Sequence, residues 1–583
     1  MSFKNSGNLI GPRIGKGAYE RMTTGQRRSI WGRTALTVAF CAASMLGADP
    51  ASGNASNNGG SSDVQELRAL LAAQQRQIEQ LRTALDEQKK VIDKLAPAQD
   101  SNARFSLPNT PKLGEVATTS PVLPAAPAPL PAPAASGKAD EAPAPLQLKL
   151  GNVSISPVGF MDMTEVSRST NPGTGIGTNF GSIPYGNVQL GSLTESRFSI
   201  QNSRIGARFD TGFHGYNVLG YWESDFLGQL GNPPNGGLAV SSNPYVFRLR
   251  LYWVDVSKNN WEFLAGQSWS LMTPNRKGVS PLPGDIFYSQ DIDVNYQVGL
   301  TWGRIPGFRA AYHFGDKAAF AVSAENSEPY IGGGNGGSAV TTPAAIAAAS
   351  NVVNTQINAG GSVISAAALM PDIIAKLAFD PSKRAHIEFA GVMIANKFSD
   401  PVSTPPFQTS TKTGGGFSLN ANFELFKGFR FVTNNYWSDG GGRYIFGQAP
   451  DFVIRADGSL SLVHSMSTVT GFEAQARKTL VYAYYGGVYI DHNTAVDTNG
   501  KLVGYGALSN DGQNRAIQEI TFGTNSTLAK DPKWGGLNLM FQFSYLQRNP
   551  WLVTGTSPTN AHLSMGFVNL RYTLPGAPAP KMY

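Results

Sequence analysis

Three short stretches of the chain set ionic side chains at even spacing. In "SRIGARFD" these are Arg204, Arg208 and Asp210; in "YWESDF", Glu223 and Asp225; in "FRLRLYW", Arg248 and Arg250. A strand turns alternate residues to one face, so each set shares a surface. A guanidinium holds a carboxylate through two parallel hydrogen bonds, and a ladder of such groups passes an anion along without trapping it. The competing reading is structural: the arginines pair with Glu223 and Asp225 across neighbouring strands. Arg309, with His313 in "GFRAAYHF", extends the set. Arg276 and Lys277 add two cations in the Pro/Gly-rich stretch "LMTPNRKGVSPLPGD", with Asp285 as their acidic counterweight.

No catalytic constellation accompanies these groups. The six histidines are scattered without metal-ligand spacing, and "IGGGNGG" lacks the Lys-Ser/Thr that would complete a phosphate cradle. We expect no bond chemistry, no metal and no cofactor.

Composition narrows the class. Charged residues are 15% of the chain, well under the roughly one quarter usual in soluble domains. The 65 glycines, 31 Phe and 20 Tyr suit strands and turns. The formal charge of +7 is concentrated in residues 1–48, where seven Lys/Arg face one acid, Glu20, so the remainder carries 7 − 6 = +1. Nucleic acid is therefore not an expected partner. In that leader Arg27, Arg28 and Arg33 precede an apolar run from Ala35 to Leu46, the pattern of a cleaved export signal. The single cysteine, Cys41, lies within the run, leaving a mature chain without thiols, as suits an oxidising compartment.

Three further segments follow before the barrel. Residues 49–62 are a Gly/Asn/Ser-rich spacer. Residues 63–95 form a heptad rod, with Val64, Leu71, Ile78, Leu85 and Ile92 at one core position and Leu67, Leu81 and Leu95 at the other, two Gln layers (Gln74, Gln88) completing it. The rod would be about 48 Å long. Leu70, Ala84 and Val91 widen its seam, which favours more than two helices. Residues 96–147 hold eleven prolines and read as an extended linker.

From Leu148 onward the pattern alternates. Eight long gaps, near 169–193, 228–243, 270–289, 329–368, 399–411, 440–464, 492–514 and 549–561, are interleaved with seven short turns. The count gives an all-β transmembrane barrel of 16 antiparallel strands over residues 148–575, followed by a tail, 576–583. One place is ambiguous: "GRIPGFRAAYHFGDK" offers both "RIPG" and "FGDK" as turns, and one of them should be a bulge. Turning two arginines of "FRLRLYW" into hydrocarbon would cost roughly 2–4 kcal/mol each. Phe247, Leu249, Leu251 and Trp253 should therefore face outward, and Arg248, Arg250 and Tyr252 inward. The stretch from Leu271 to Asp285, after the fifth strand, should fold into the bore as a constriction.

The segments "QNSRIGARFD", "YWESDFLG", "FRLRLYW" and "LAGQSWSLM" resemble strands of the DcaP-like porins, and the layout of leader, coiled coil and barrel is similar. The resemblance implies a homotrimer in the outer membrane of a Gram-negative-type bacterium, surrounded by lipid and lipopolysaccharide, with its coiled coil in the periplasm. It also implies passive uptake of small anionic, dicarboxylate-like solutes. The alternatives are a phosphate-selective porin, or a barrel-anchored tether whose rod and linker grip the cell wall.

Overall fold

The computed structural model describes residues 146–228, 246–282, 287–333, 339–350, 356–358, 368–507 and 512–575, together with Glu79 and Thr83. The expected signal segment, the spacer, the tail and all but the last two residues of the linker lie outside the described residues. So does the rod, apart from those two helical positions.

Sixteen long strands make the main sheet: β1 (Val153–Arg168), β2 (Arg204–Phe213), β3 (Tyr216–Gly228), β4 (Val246–Lys258), β5 (Trp261–Trp269), β6 (Arg304–His313), β7 (Ala318–Glu325), β8 (Asp372–Ser382), β9 (Ala385–Ser399), β10 (Thr409–Phe426), β11 (Phe429–Asp439), β12 (His464–Ala476), β13 (Thr479–Ile490), β14 (Asn514–Asp531), β15 (Gly535–Pro550) and β16 (Ala561–Thr573). Each pairs antiparallel with its successor. β16 returns to β1 from Phe160↔Thr573 to Arg168↔Met565, so the sheet closes. A short strand, Glu195–Ser199, continues the line of β2 beside the upper half of β1. Closure satisfies the backbone of every strand from its neighbours, the condition for crossing hydrocarbon.

Seven connections of two to four residues alternate with eight longer ones, as the gap pattern requires. Asn259 and Arg477 take positive φ (52° and 55°) at two of the tight turns. The ambiguity near 304–317 resolves in favour of "FGDK" as the turn between β6 and β7. "RIPG" belongs to β6 and pairs with β5 in unbroken register, from Trp269↔Arg304 to Trp261↔Tyr312, so neither candidate is a bulge.

The two faces have opposite chemistry. Phe263, Phe308, Phe320, Phe389, Phe417, Phe522, Phe541 and Phe543 stand exposed on the outside, Phe308 at 73%. Their inward neighbours Glu262, Arg309, His313, Lys376, Glu388, Asn420, Glu519 and Gln542 are buried inside. The expected facing fails in β4. Its ladder with β3 skips a residue between Ser224↔Leu249 and Glu223↔Leu251, leaving Arg250 as an extra residue. This bulge reverses the alternation below it. Phe247 and Leu249 face out as expected, but Leu251 (1% exposed) and Trp253 (3%) turn inward and Tyr252 (64%) turns outward.

The longest connections are built, not merely spanned. A helix, α1 (Ala344–Ser350), lies in the 326–371 connection, and its Ala344 N–H donates to the Asp497 carboxylate at 3.0 Å. Two small hairpins, Phe452–Ile454 with Leu460–Leu462 and Asn493–Val496 with Leu502–Tyr505, stiffen two others. The Tyr330 N–H donates to Asp451 at 2.7 Å, tying the first of these hairpin-bearing connections to the 326–371 segment.

Candidate functional site

On the wall formed by β2 to β6 the bulge brings two arginines to one carboxylate. Arg248 Nη2 lies 2.7 Å from Asp225 Oδ2 and Arg250 Nη1 lies 2.8 Å from the same oxygen. Arg250 Nε reaches Glu223 Oε1 at 2.7 Å, and Arg204 Nη1 stands 3.8 Å from that atom. Five of the expected residues thus form one cluster: Arg204, Glu223, Asp225, Arg248 and Arg250. The cross-strand pairing that competed with the ladder reading is present here. It does not exhaust the charge, since three guanidiniums meet two carboxylates.

The other expected residues stand apart. Arg208 pairs within its own strand with Asp210, 2.5 Å away. Arg309 is bound to Glu262, which His313 also meets at 3.1 Å. Lys277 is exposed. Asp285 lies outside the described residues.

Residues 270–303, between β5 and β6, touch nearly every side of the barrel wall. The Leu271 N–H donates to Glu325 at 2.8 Å, and Lys376 Nζ donates to the Thr273 carbonyl at 2.7 Å. The Asn275 N–H donates to Glu388 at 3.1 Å, and the Gly278 N–H to Asp380 at 2.9 Å. Arg276 grips Glu473 with two bonds of 2.9 and 2.6 Å. Farther on, the Tyr288 N–H donates to the Tyr484 hydroxyl at 3.1 Å, the Val298 N–H to Glu519 at 2.9 Å and the Thr301 N–H to Asn434 at 2.9 Å. Asp291 accepts from Arg571 at 3.0 Å. A segment without a strand partner must satisfy its buried N–H groups elsewhere, and wall side chains supply the acceptors.

These contacts shift the segment's own titrations. Burial would push the Arg276 guanidinium down, but Glu473 beside it holds it above its ordinary value. Burial pushes the Asp293 carboxyl up to about 6. Tyr296 is the most telling. Burial alone would raise its phenol, yet Arg250, Arg304 and Arg204 pull it below its usual value, and Arg250 Nη2 donates to its oxygen at 3.2 Å.

Arg304 was not anticipated. Strict alternation back from the outward Phe308 would send it to the outside, and its place in "RIPG" suggested a turn. Instead β4 and β5 stay paired only as far as Tyr252↔Gln267, so the top of β5 and the start of β6 are released from β4. Arg304 lies over the rings of Trp269 and Trp302, at 5.6 and 5.3 Å from their centroids, and makes no ion pair among the described residues. With it the cluster holds four guanidiniums, Arg204, Arg248, Arg250 and Arg304, against Glu223 and Asp225. Lys376, Glu388, Glu473 and Arg571 were also unforeseen. Their partners lie more than a hundred residues away in several cases, which no local pattern reveals.

No protein-family model matches the chain, and no curated protein matches it. Solved structures do. The outer membrane channel DcaP of Acinetobacter baumannii matches with a TM-score of 0.51 at 16% identity, covering 73% of this chain and 99% of that one. OmpT, an outer membrane protein of Vibrio cholerae, matches at 0.38 and 12%, over 73% and 99%. OprB of Pseudomonas putida matches at 0.39 and 9%, over 72% and 94%. With sixteen antiparallel strands, an apolar exterior and an ionic interior, residues 148–575 have the fold of the DcaP outer membrane channel.

Proposed function

We propose that this chain is an outer-membrane porin that passes small hydrophilic solutes by diffusion and prefers anions of the dicarboxylate type. Four guanidiniums against two carboxylates at the root of an inward-folded segment carry this reading. Opposite charges within a few ångströms raise the local concentration of a solute, and weak multiple sites let it leave again. In this reading residues 270–303 are the constriction, and its attachment to the wall keeps the opening narrow. The likeness to a channel supports transport over catalysis. The apolar belt supports placement in a membrane among lipid and lipopolysaccharide. The heptad rod supports a homotrimer joined in the periplasm, with the proline-rich linker spacing rod from barrel.

Reversal potential across a planar bilayer with an asymmetric potassium chloride gradient tests the proposal. Chloride should carry most of the current. A cation preference would overturn the arginine reading. An absence of conductance would leave a tether.

A further inference from the structure

Around Arg304 the structure gathers more aromatic surface than a constriction needs. Trp302 is packed between Phe446, stacked at 4.2 Å with an interplanar angle of 22°, and Tyr296 at 4.6 Å. Trp269 closes the group, 5.6 Å from Trp302 and 5.9 Å from Tyr296. These rings come from three separated places: the end of β5, the inward segment and the connection between β11 and β12.

Two of the rings are held by unfavourable backbone. Tyr296 has φ 75° and Phe446 has φ 21°. The other non-glycine residues with positive φ, His214, Asn259 and Arg477, all sit in tight turns between strands, where such angles are routine. A bulky aromatic in this region is strained and persists where the surroundings over-determine it. Phe446 lies in a turn closed by the Gln448 N–H on the Ile445 carbonyl at 2.9 Å, and the Tyr296 N–H closes another on the Asp293 carbonyl at 2.9 Å; these turns place the two rings.

Arg304 is the cation over two of these rings, Trp269 and Trp302. Its Nη1 is buried without a hydrogen-bond partner, whereas Trp269, Phe446 and Arg304 itself each keep part of their surface open. Arg250 and Arg248 are near enough to repel it, so an anion here would relieve like-charge crowding as well as fill a donor.

We propose that Arg304, Trp269 and Phe446 form a seat for carboxylates carried on a flat aromatic ring: the carboxylate takes up the unpartnered Arg304 Nη1 and the ring lies against indole or phenyl. The seat rests on the anion-preferring reading above and adds to it a discrimination that charge alone cannot make. Ring faces distinguish a planar arene from a puckered ring of equal charge and nearly equal size.

The test compares benzoate with cyclohexanecarboxylate in bilayers holding the full-length protein, by reversal potentials under bi-ionic conditions. Benzoate should differ in permeability or in block by about two- to ten-fold, the range an aromatic pair contributes. That difference should vanish in Trp269→Leu and in Phe446→Leu. It should shrink in Arg304→Lys, which keeps charge but loses the planar fork. Equal behaviour of the two anions in the unmodified protein would overturn the seat, and this comparison requires no variant to fold. Chloride selectivity in the same membranes separates the failures. If chloride preference stands while the two carboxylates behave alike, only the seat is lost; if chloride preference is absent, the underlying reading fails too.

Discussion

The wall of β2–β6 and the wall of β8–β13 are built from the same ion-pairing residues and use them differently. On the far wall Arg430 donates to the Asn422 side chain, while the cations in contact with the inward segment meet carboxylates at close range. Lys376 is fully buried against Glu388 at 3.3 Å while donating to the Thr273 carbonyl, and Arg276 is doubly bound to Glu473. Arg443 bridges Asp372 at 3.1 Å and Asp451 at 2.9 Å. The carboxylates there also accept backbone N–H groups from the inward segment. On the near wall the pairing stops short, with four guanidiniums for two carboxylates. In the proposed reading the difference separates anchoring from recognition: charge that is matched holds the segment in place, and charge left over is available to a solute.

The largest test of this contrast is on the far wall. Glu388→Ala strands the Lys376 ammonium in a buried site and frees the Asn275 N–H. It should cost about 3–5 kcal/mol, the usual penalty for breaking a buried pair. Guanidinium unfolding followed by circular dichroism reads the loss, and a rise in single-channel conductance would report the loosened segment. A cost under 1 kcal/mol would mean that the anchor is idle. Next comes the near wall. Arg250→Gln removes the cation shared by Glu223 and Asp225, and the anion-to-cation permeability ratio should fall by about five-fold, the effect of one unit charge at about 4 Å in water. An unchanged ratio would place recognition elsewhere in the bore.

A further test concerns the segment between the walls. Burial raises the Asp293 carboxyl to about 6 from an ordinary value of 3.8. Its folded state therefore binds the proton more readily than its unfolded state. The stability it contributes is whole below pH 3.8 and is lost as pH rises through about 6. Asp293→Asn should raise the unfolding free energy at pH 8 by about 3 kcal/mol and leave it unchanged at pH 3. Equal gains at both pH values would contradict the burial argument.

Much of the barrel was legible in the sequence because period-two alternation and the long-short rhythm of gaps are local. Ile205, Phe209, Phe308 and Phe541 face outward for the same reason that Arg309 and Gln542 face inward. Leu251 and Trp253 escaped that logic. A bulge is decided by how two ladders fit, and nothing inside "FRLRLYW" marks Arg250 as the surplus residue. Arg304 was hidden twice, by a Pro-Gly pair that imitates a turn and by an alternation that lapses where β4 and β5 part. The pairing of Arg276 with Glu473 crosses the molecule, so its cation could be named from the sequence but its commitment could not. The coupling of Arg248 and Arg250 to Asp225 was foreseen as a competitor of the ladder.

The surplus position in β4 also bears on how such a wall could change. A chain lacking only Arg250 would regain an even ladder with β3 from Asn217 to Asp225 and still present Phe247, Leu249, Tyr252 and Val254 to the outside. Adding or dropping one codon there alters the bore's charge while the lipid-facing coat stays as it was. Permeant preference and membrane fit can thus diverge independently, by a change in length where a substitution would have to serve both solvents.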